Sequence, residues 1–132
     1  MSTFSSIDEA RNFFAGDKFA GANGMTLERL TDDGCVCAME IRDDHRNALG
    51  GVMGGVIFTL ADFALAIASN NDHKPSVALE VNINYLSSTK GTRLIAEASR
   101  VKSGRTTGVY SIMVTDDTGR DVALVTGTCY KL

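Results

Sequence analysis

The chain has 132 residues, of which 44% are hydrophobic and 22% are charged, and its formal net charge at pH 7 is −3. This length and composition predict one globular domain over residues 1–132, and the small negative charge excludes the basic profile of a nucleic-acid-binding protein. The N-terminal stretch lacks the basic and apolar regions of a signal peptide, and the three cysteines lack zinc-site spacing, which favours a cytoplasmic protein with buried, reduced thiols.

The first third of the chain is predicted to contain a short helix and a β-hairpin. Ser6 and Glu9 have the S-x-x-E spacing of a capping box, which marks the start of a helix. Two strand-like runs follow at residues 25–31 and 35–41, and the sequence TDDG between them is a strong hairpin signal.

The central element is predicted to be a long apolar helix. Residues 56–68 read VIFTLADFALAIA, and the only charged residue among them is Asp62. A helix that is apolar on nearly every side is buried, and this one is shorter than the roughly 20 residues that span a bilayer. Four small or polar residues are spaced by three, four and three positions and share one stripe: Thr59, Asp62, Ala66 and Ser69.

A polar loop and a glycine-rich turn precede this helix. The loop covers residues 42–47, and its histidine, His45, is expected at the surface. The turn, residues 50–55, reads GGVMGG and fits neither a phosphate loop nor a dinucleotide-binding motif. A helix that starts at such a turn offers free backbone N–H groups and the positive end of its dipole. These donors, with Asp62 about two turns along the helix, predict an oxyanion site and a base.

After the helix the hydrophobic period changes to two, which predicts four sequential antiparallel strands. They lie at about residues 77–85, 93–101, 106–115 and 121–131, with short turns between the last three. Long strands joined by short turns curl, because sheets twist. The predicted fold class is therefore α+β, a curled antiparallel sheet wrapped around one long central helix, which is a hotdog fold. Such a sheet covers only part of the helix, so the stripe with Asp62 is expected to face a second subunit.

At this point the residues resemble the PaaI-type hotdog acyl-CoA thioesterases, over most of the chain. The most specific match is the spacing of Asn47, the glycine pair Gly54-Gly55 and Asp62, which follows the family's Asn…His-Gly-Gly…Asp pattern. The strand start GRTTGVY is a second match. One position departs from the pattern, because Met53 stands where the family usually has a histidine.

The resemblance implies hydrolysis of an acyl-CoA thioester to a free acid and CoA, without a metal or a cofactor. Asp62 is then expected to be the base or nucleophile, the Gly54 N–H the oxyanion donor, and Asn47 a positioning residue. The further residues expected to bind the substrate are Met53, Gly55, Thr59, Phe63, Lys102 and Arg105. The family also implies a homodimer with sites at its interface, pairing into a homotetramer, and the sequence suggests no nucleic-acid or membrane partner.

Lys102 and Arg105 flank a tight turn and are the first choices for the CoA phosphates, although solvated strand ends explain such cations equally well. The hydroxyls of Thr59 and Ser69 are candidates for orienting Asp62.

Two other functions stay open. A thioether is a weak acceptor and no donor, so Met53 leaves open a non-catalytic acyl-CoA-binding protein, either a sensor or a structural subunit. A hotdog hydratase or dehydratase ranks last, because it would pair a histidine with a carboxylate and no histidine lies on or next to the central helix.

Overall fold

The computed structural model describes residues 2–132 and has an α+β architecture. Its helices are α1 (Ile7–Phe14), α2 (Lys18–Ala22) and α3 (Gly54–Asp72), with a 3₁₀ turn at Asp43–His45. Its strands are β1 (Thr26–Thr31), β2 (Gly34–Glu40), β3 (Ser76–Tyr85), β4 (Arg93–Ser103), β5 (Thr107–Asp116) and β6 (Asp121–Lys131).

The six strands form one antiparallel sheet in the order β1-β2-β4-β5-β6-β3. The sheet curls around α3, which packs against five of its strands, β2 to β6. Leu60, Ala64 and Ile67 on α3 are completely covered, and so are Ile112 and Val125 on the facing strands. This arrangement confirms the predicted hotdog fold.

The prediction of four sequential strands was wrong in one respect. β4, β5 and β6 do follow one another across the sheet, but β3 pairs with β6 and β4 pairs with β2. Strand β3 therefore lies at one edge of the sheet, with no neighbour on its outer side among the described residues. The alternating pattern identifies a strand and its two faces, but it carries no information about which strand lies beside it.

The N-terminal elements follow the sequence prediction with two differences. The hairpin forms as predicted, with Thr31 opposite Gly34. Only half of the capping box forms: Ser6 Oγ accepts from the Glu9 N–H, but the Glu9 carboxylate accepts from Ser5 rather than from the Ser6 N–H. The second difference is α2, which was not predicted because five residues are too few to show a helical period.

The stripe on α3 is mostly as predicted. Thr59, Asp62 and Ala66 are the half-exposed positions along the middle of the helix, together with Phe58. Ser69 is not part of this stripe: its side chain is buried and its hydroxyl donates to a helix carbonyl.

The three cysteines are buried and free, as the sequence predicted. None of the helices within residues 2–132 combines the length and the apolar character that crossing a membrane requires.

Candidate functional site

Asn47 holds the glycine-rich turn before α3 in place. Its side-chain Oδ1 accepts hydrogen bonds from the N–H groups of Leu49 (3.0 Å) and Gly51 (3.1 Å), and its own N–H donates to the Gly51 carbonyl at 2.8 Å. Gly50 lies between them with a φ of +86°, a conformation that favours glycine. One half of the Asn47 amide therefore shapes the turn, while no acceptor in residues 2–132 takes a hydrogen bond from its NH₂ group.

His45 contacts the same turn through its backbone carbonyl. The prediction of a surface position was wrong, because the side chain is only 1% exposed. Its Nδ1 accepts from the Arg42 N–H at 2.9 Å, its Nε2 lies 3.2 Å from Asn23 Oδ1, and its carbonyl accepts from the Met53 N–H at 2.9 Å. Burial, and next the charge of Arg42, lower the pKa of His45, so the imidazole is neutral and both nitrogens are occupied. It is therefore not available as an acid or base.

The first turn of α3 presents free backbone donors. No side chain caps this end, because the N-cap residue is Met53. The N–H groups of Val56 and Ile57 turn back to the Met53 carbonyl, at 3.0 and 3.5 Å. The N–H groups of Gly54 and Gly55 come before the first possible intrahelical bond, and no acceptor in the described part of the chain takes them.

A side chain at Gly54 would crowd the ring of Tyr85. A Cβ atom there would lie 2.9 Å from Tyr85 Oη, and that hydroxyl donates to the Gly54 carbonyl at 2.8 Å. Sequence reasoning missed Tyr85, whose only signal was its place at the end of the alternating strand β3. The Met53 side chain beside this turn is 56% exposed, so a thioether is presented at the site.

Asp62 is half-buried and lines a cleft of about 230 Å³ between α3 and α2. Burial, and next the charge of Asp17, raise the pKa of Asp62 above its ordinary value. The hydroxyls of Thr59 and Ser69 do not orient the Asp62 carboxylate. Thr59 donates to the Gly55 carbonyl at 2.7 Å, and Ser69 donates to the Ala66 carbonyl. The other residues that line this cleft are Asp17, Lys18, Phe19, Ala20, Thr59, Phe63 and Ala66.

A single copy of the chain does not bring the predicted donor and base together. Gly54 and Asp62 lie on the same helix, eight positions apart. Because an α-helix rises about 1.5 Å per residue, about 12 Å of helix separates them. A carbonyl oxygen on the N–H and a water on the carboxylate must both lie within about 3 Å of their partners. These two groups of one copy are too far apart to act on the same carbonyl.

The two cations predicted for phosphate binding, Lys102 and Arg105, lie at the opposite end of α3 from the glycine turn. Both are exposed, and Ser103 between them donates to the Asp72 carboxylate at the last residue of that helix.

Two other cations lie closer to the turn. Arg46 and Lys90 line a cleft of about 420 Å³ together with Asn47 and the glycines. Arg46 donates to the Gly50 carbonyl at 3.1 Å, which directs it along the turn. No three His, Cys, Asp or Glu side chains in the described chain are grouped as a metal site would need.

Within the part of the chain that the structure describes, the site thus consists of an unpaired carboxylate with a raised pKa and of free N–H donors at a helix start. A carboxylate of this kind can take a proton from water or attack a carbonyl carbon. Preorganised N–H donors stabilise the negative charge that develops on the carbonyl oxygen. These are the two devices that acyl transfer to water requires.

Comparison with known proteins gives a consistent result. The family model described as "Thioesterase superfamily" matches residues 49–123. A putative esterase from Archaeoglobus fulgidus is 39% identical over 95 residues, which are 71% of this chain and 62% of that protein. Human acyl-coenzyme A thioesterase 13 is 30% identical over 121 residues, covering 89% of this chain and 83% of the human protein. A mutant of the phenylacetic acid degradation protein PaaI from Thermus thermophilus superposes with a TM-score of 0.83 at 37% identity, covering 88% of this chain and 100% of that chain.

Proposed function

The chain belongs to the thioesterase superfamily, a family of thioester hydrolases, as a member of its PaaI type, and we propose that it hydrolyses acyl-CoA thioesters at a site shared by two copies of the chain. The observation that carries this proposal is the half-buried Asp62 carboxylate, which has no hydrogen-bonding partner within residues 2–132, on the same helix as the free Gly54 N–H. Human acyl-coenzyme A thioesterase 13 among the relatives supports the substrate class.

The spacing of the two groups dictates how two copies would combine. Suppose that two α3 helices lie side by side and antiparallel about a two-fold axis. A residue of one helix then lies level with the residue of the other helix that is equally far from the axis on the same side. Phe58 lies midway between Gly54 and Asp62 in sequence. An axis that passes at the level of Phe58 would place Asp62 of each copy level with Gly54 of the partner subunit. The two halves of the catalytic pair would then face the same carbonyl.

Strand β3 offers a surface for such pairing. It is the last strand of the sheet, and its outer N–H and C=O groups have no partner strand within residues 2–132. Val77 and Leu79 on it are 46% and 60% exposed. An exposed edge with apolar side chains is a template for pairing with another strand. Antiparallel addition of β3 from a second copy would cover it, and the pairing of two such dimers into a tetramer stays a prediction.

The proposed reaction uses the carboxylate and the N–H in complementary roles. Asp62 takes a proton from water as the water attacks the thioester carbon, or attacks that carbon itself. The carbonyl oxygen becomes negative and accepts a hydrogen bond from the Gly54 N–H of the partner subunit. The carbon–sulfur bond then breaks and the CoA thiolate leaves. If Asp62 acted as the base, the proton that it took from water passes to the thiolate, and a free acid is released. If Asp62 was the nucleophile, an anhydride between Asp62 and the acyl group is formed first, and its hydrolysis by water gives the free acid, restores the carboxylate and supplies the proton for the thiolate. The free NH₂ of Asn47 is proposed to position the water or the substrate.

The CoA phosphates need cations, and the chain offers two pairs. Lys102 and Arg105 stay the proposed contacts, with Arg46 and Lys90 as the pair beside the turn. Replacing each pair by alanine in turn shows which pair binds the phosphates. Loss of the phosphate-binding pair should raise KM for acyl-CoA and leave KM for a short acyl-pantetheine thioester unchanged.

The decisive experiment is an assay of thiol release from a panel of acyl-CoAs, followed by subunit complementation. Asp62→Asn is expected to lower kcat by about 10²–10⁴, and Gly54→Ala by about 10–10². When equal amounts are unfolded and refolded together, half of the dimers are mixed, and one of the two sites in each mixed dimer is intact. About a quarter of wild-type activity should return if the site is shared. No return, with mixed dimers shown by mass spectrometry, would rule out a shared site.

Met53 supports one alternative, a protein that binds acyl-CoA without turning it over. An exposed thioether supplies no hydrogen-bond donor where the family usually has a histidine. The same panel of acyl-CoAs distinguishes the two functions. Binding measured by calorimetry, without thiol release from any acyl-CoA, would establish that the chain binds acyl-CoA and does not hydrolyse it. If hydrolysis occurs, Met53→His is expected to increase it.

A further inference from the structure

A second and larger cleft adjoins the Asp62 cleft. It has a volume of about 440 Å³ and lies where α1, α2 and β1 meet α3. Its walls are largely apolar, with Phe14 from α1, Met25 and Leu27 around β1, and Phe63 from α3. All four of these side chains belong to the buried core, with an exposed fraction of 7% or less.

Phe63 joins the two clefts. It directly follows Asp62 on α3 and lines both the cleft that contains that carboxylate and the larger apolar one. Its ring meets Phe14 edge-on, with the ring centroids 6.2 Å apart and the planes at 90°. If the carbonyl carbon of an acyl group lies at Asp62, the tail of that group can reach the ring of Phe63. The apolar cleft lies behind this ring.

We propose that this apolar cleft, which we call the α1–α2 cleft, binds the tail of an unbranched aliphatic acyl group of medium length. The proposal rests on the proposed function, because it takes Asp62 as the point where the thioester carbonyl lies. A flexible chain can bend past Phe63 into the second cleft, whereas a short aryl group ends in the first. Each methylene that leaves water for such a surface strengthens binding about fourfold.

The charged groups of the α1–α2 cleft do not fit the other end of the substrate. Arg11 is the one cation among the described residues that line it, and it already donates to the Leu27 carbonyl at 2.9 Å and pairs with Asp8 at 3.5 Å. Glu28 lines the same cleft, and its carboxylate pairs with Arg93 at 2.7 Å, so no unpaired positive charge faces the cleft among the residues that line it. The polyanionic nucleotide of CoA therefore belongs elsewhere, and the apolar walls match only a hydrocarbon.

Gly21 offers a way to fill the cleft without disturbing the fold. It lies on α2 and lines the cleft, and a Cβ added to it would meet no atom within 4 Å. Gly21→Leu should therefore place a branched side chain in the space of the acyl tail. Ala15→Leu fills the same cleft from the end of α1 and keeps the test valid if the first variant folds poorly. Ala22→Leu is the matched control, because Ala22 is the next residue on α2, is exposed and does not line the cleft.

The test measures kcat/KM with saturated acyl-CoAs from butanoyl to dodecanoyl, and the affinity of their non-hydrolysable thioether analogues by calorimetry. Wild type and Ala22→Leu should gain about fourfold in affinity per added methylene until the cleft is filled. Gly21→Leu and Ala15→Leu should lower the ratio of decanoyl to butanoyl, in affinity and in kcat/KM, by at least about tenfold.

Two outcomes overturn the proposal. One is an affinity that does not depend on chain length in the wild type, and the other is a chain-length profile that both cleft variants leave unchanged. Failure of hydrolysis gives a different result: if no acyl-CoA is turned over but the analogues still show the Gly21-sensitive profile, the cleft is confirmed and the thioesterase function is rejected.

Discussion

The two ends of α3 differ in how their polar groups are satisfied. At the C-terminal end, the Asp72 carboxylate accepts from Arg100 (3.2 Å) and Ser103 (2.7 Å) and pairs with Lys131 (3.3 Å). At the N-terminal end, no side chain of the described chain caps the helix, and the N–H groups of Gly54 and Gly55 have no acceptor there. An acid at a helix C-terminus opposes the dipole, and here it is stabilised by two cations. Free donors at an N-terminus are the arrangement that binds a negative charge.

The difference separates stability from function along a single helix. The C-terminal end ties α3 to β4 and β6 through Asp72, whose two carboxylate oxygens both have partners on those strands. The N-terminal end and Asp62 leave polar groups without partners, which costs stability unless a ligand or a second copy completes them. Changes at the N-terminal half should therefore reduce activity, and changes at the C-terminal end should reduce stability.

The largest effect is expected from Asp62→Asn, which keeps the shape and removes the base. Loss of a general base typically costs about 10²–10⁴ in rate, so kcat in the thiol-release assay should fall by this factor. A raised pKa means that the ionised carboxylate weakens the folded state above the unfolded pKa. The variant should therefore be at least as stable as the wild type at pH 7 in thermal unfolding. A stable variant with full activity would contradict the role of Asp62.

Gly54→Ala should have the next largest effect. The new Cβ atom would lie 2.9 Å from Tyr85 Oη, so the helix start or the ring must shift. Loss of an oxyanion donor costs about 10²–10³ in kcat, and a displaced donor should cost somewhat less, about 10–10².

The control is the double variant Gly54→Ala with Tyr85→Phe, which removes the hydroxyl that the Cβ atom meets first. Activity of the double variant should exceed that of Gly54→Ala alone. If the double variant were no better, the contact with Tyr85 would not be the reason that a glycine is needed.

Asp72→Asn sharpens the comparison from the other end of the helix. Burial alone would raise the pKa of Asp72, but the hydrogen bonds from Ser103 and Lys131 and the nearby positive charges outweigh it and lower the pKa. We expect the variant to lose about 1–3 kcal/mol of unfolding free energy at pH 7, measured by urea denaturation. Its kcat should change little while the protein is folded.

The pH dependence of Asp72 has a definite sign. A lowered pKa gives stability that is present above the unfolded pKa and is lost as the pH falls through the folded pKa. The difference between wild type and Asp72→Asn should therefore shrink in acid. A constant difference across that range would mean that packing, and not charge, causes the loss.

The smallest effect is expected from Asp17→Asn. The charge of Asp17 is the second cause, after burial, of the raised pKa of Asp62. Without that charge the pKa of Asp62 falls, so the acid limb of the kcat/KM profile should move to lower pH. At a pH above this acid limb the change should stay within about twofold, because the carboxylate is then ionised in both proteins. The opposite shift, or none, would mean that Asp17 does not act on the base.

What the sequence predicted correctly is what local patterns determine. The apolar run of α3, the glycine turn and the alternating strands each follow from neighbouring residues. Contacts between distant segments were missed: His45 was placed at the surface because its partner Asn23 lies 22 residues away, and Tyr85 contacts Gly54 across 31 residues. The position of β3 beside β6 was missed for the same reason. The proposed division of the site between two copies was already expected from the family resemblance, and the rise of the helix compared with the reach of one carbonyl supports it.

The open edge at β3 has a consequence for how much enzyme is active at a given concentration. If the pairing of two copies both covers this edge and completes the site, then dissociation exposes an aggregation-prone strand and inactivates the protein in one step. Specific activity should then fall on dilution with the same midpoint as the loss of dimer. The abundance of the protein would itself set the fraction that works.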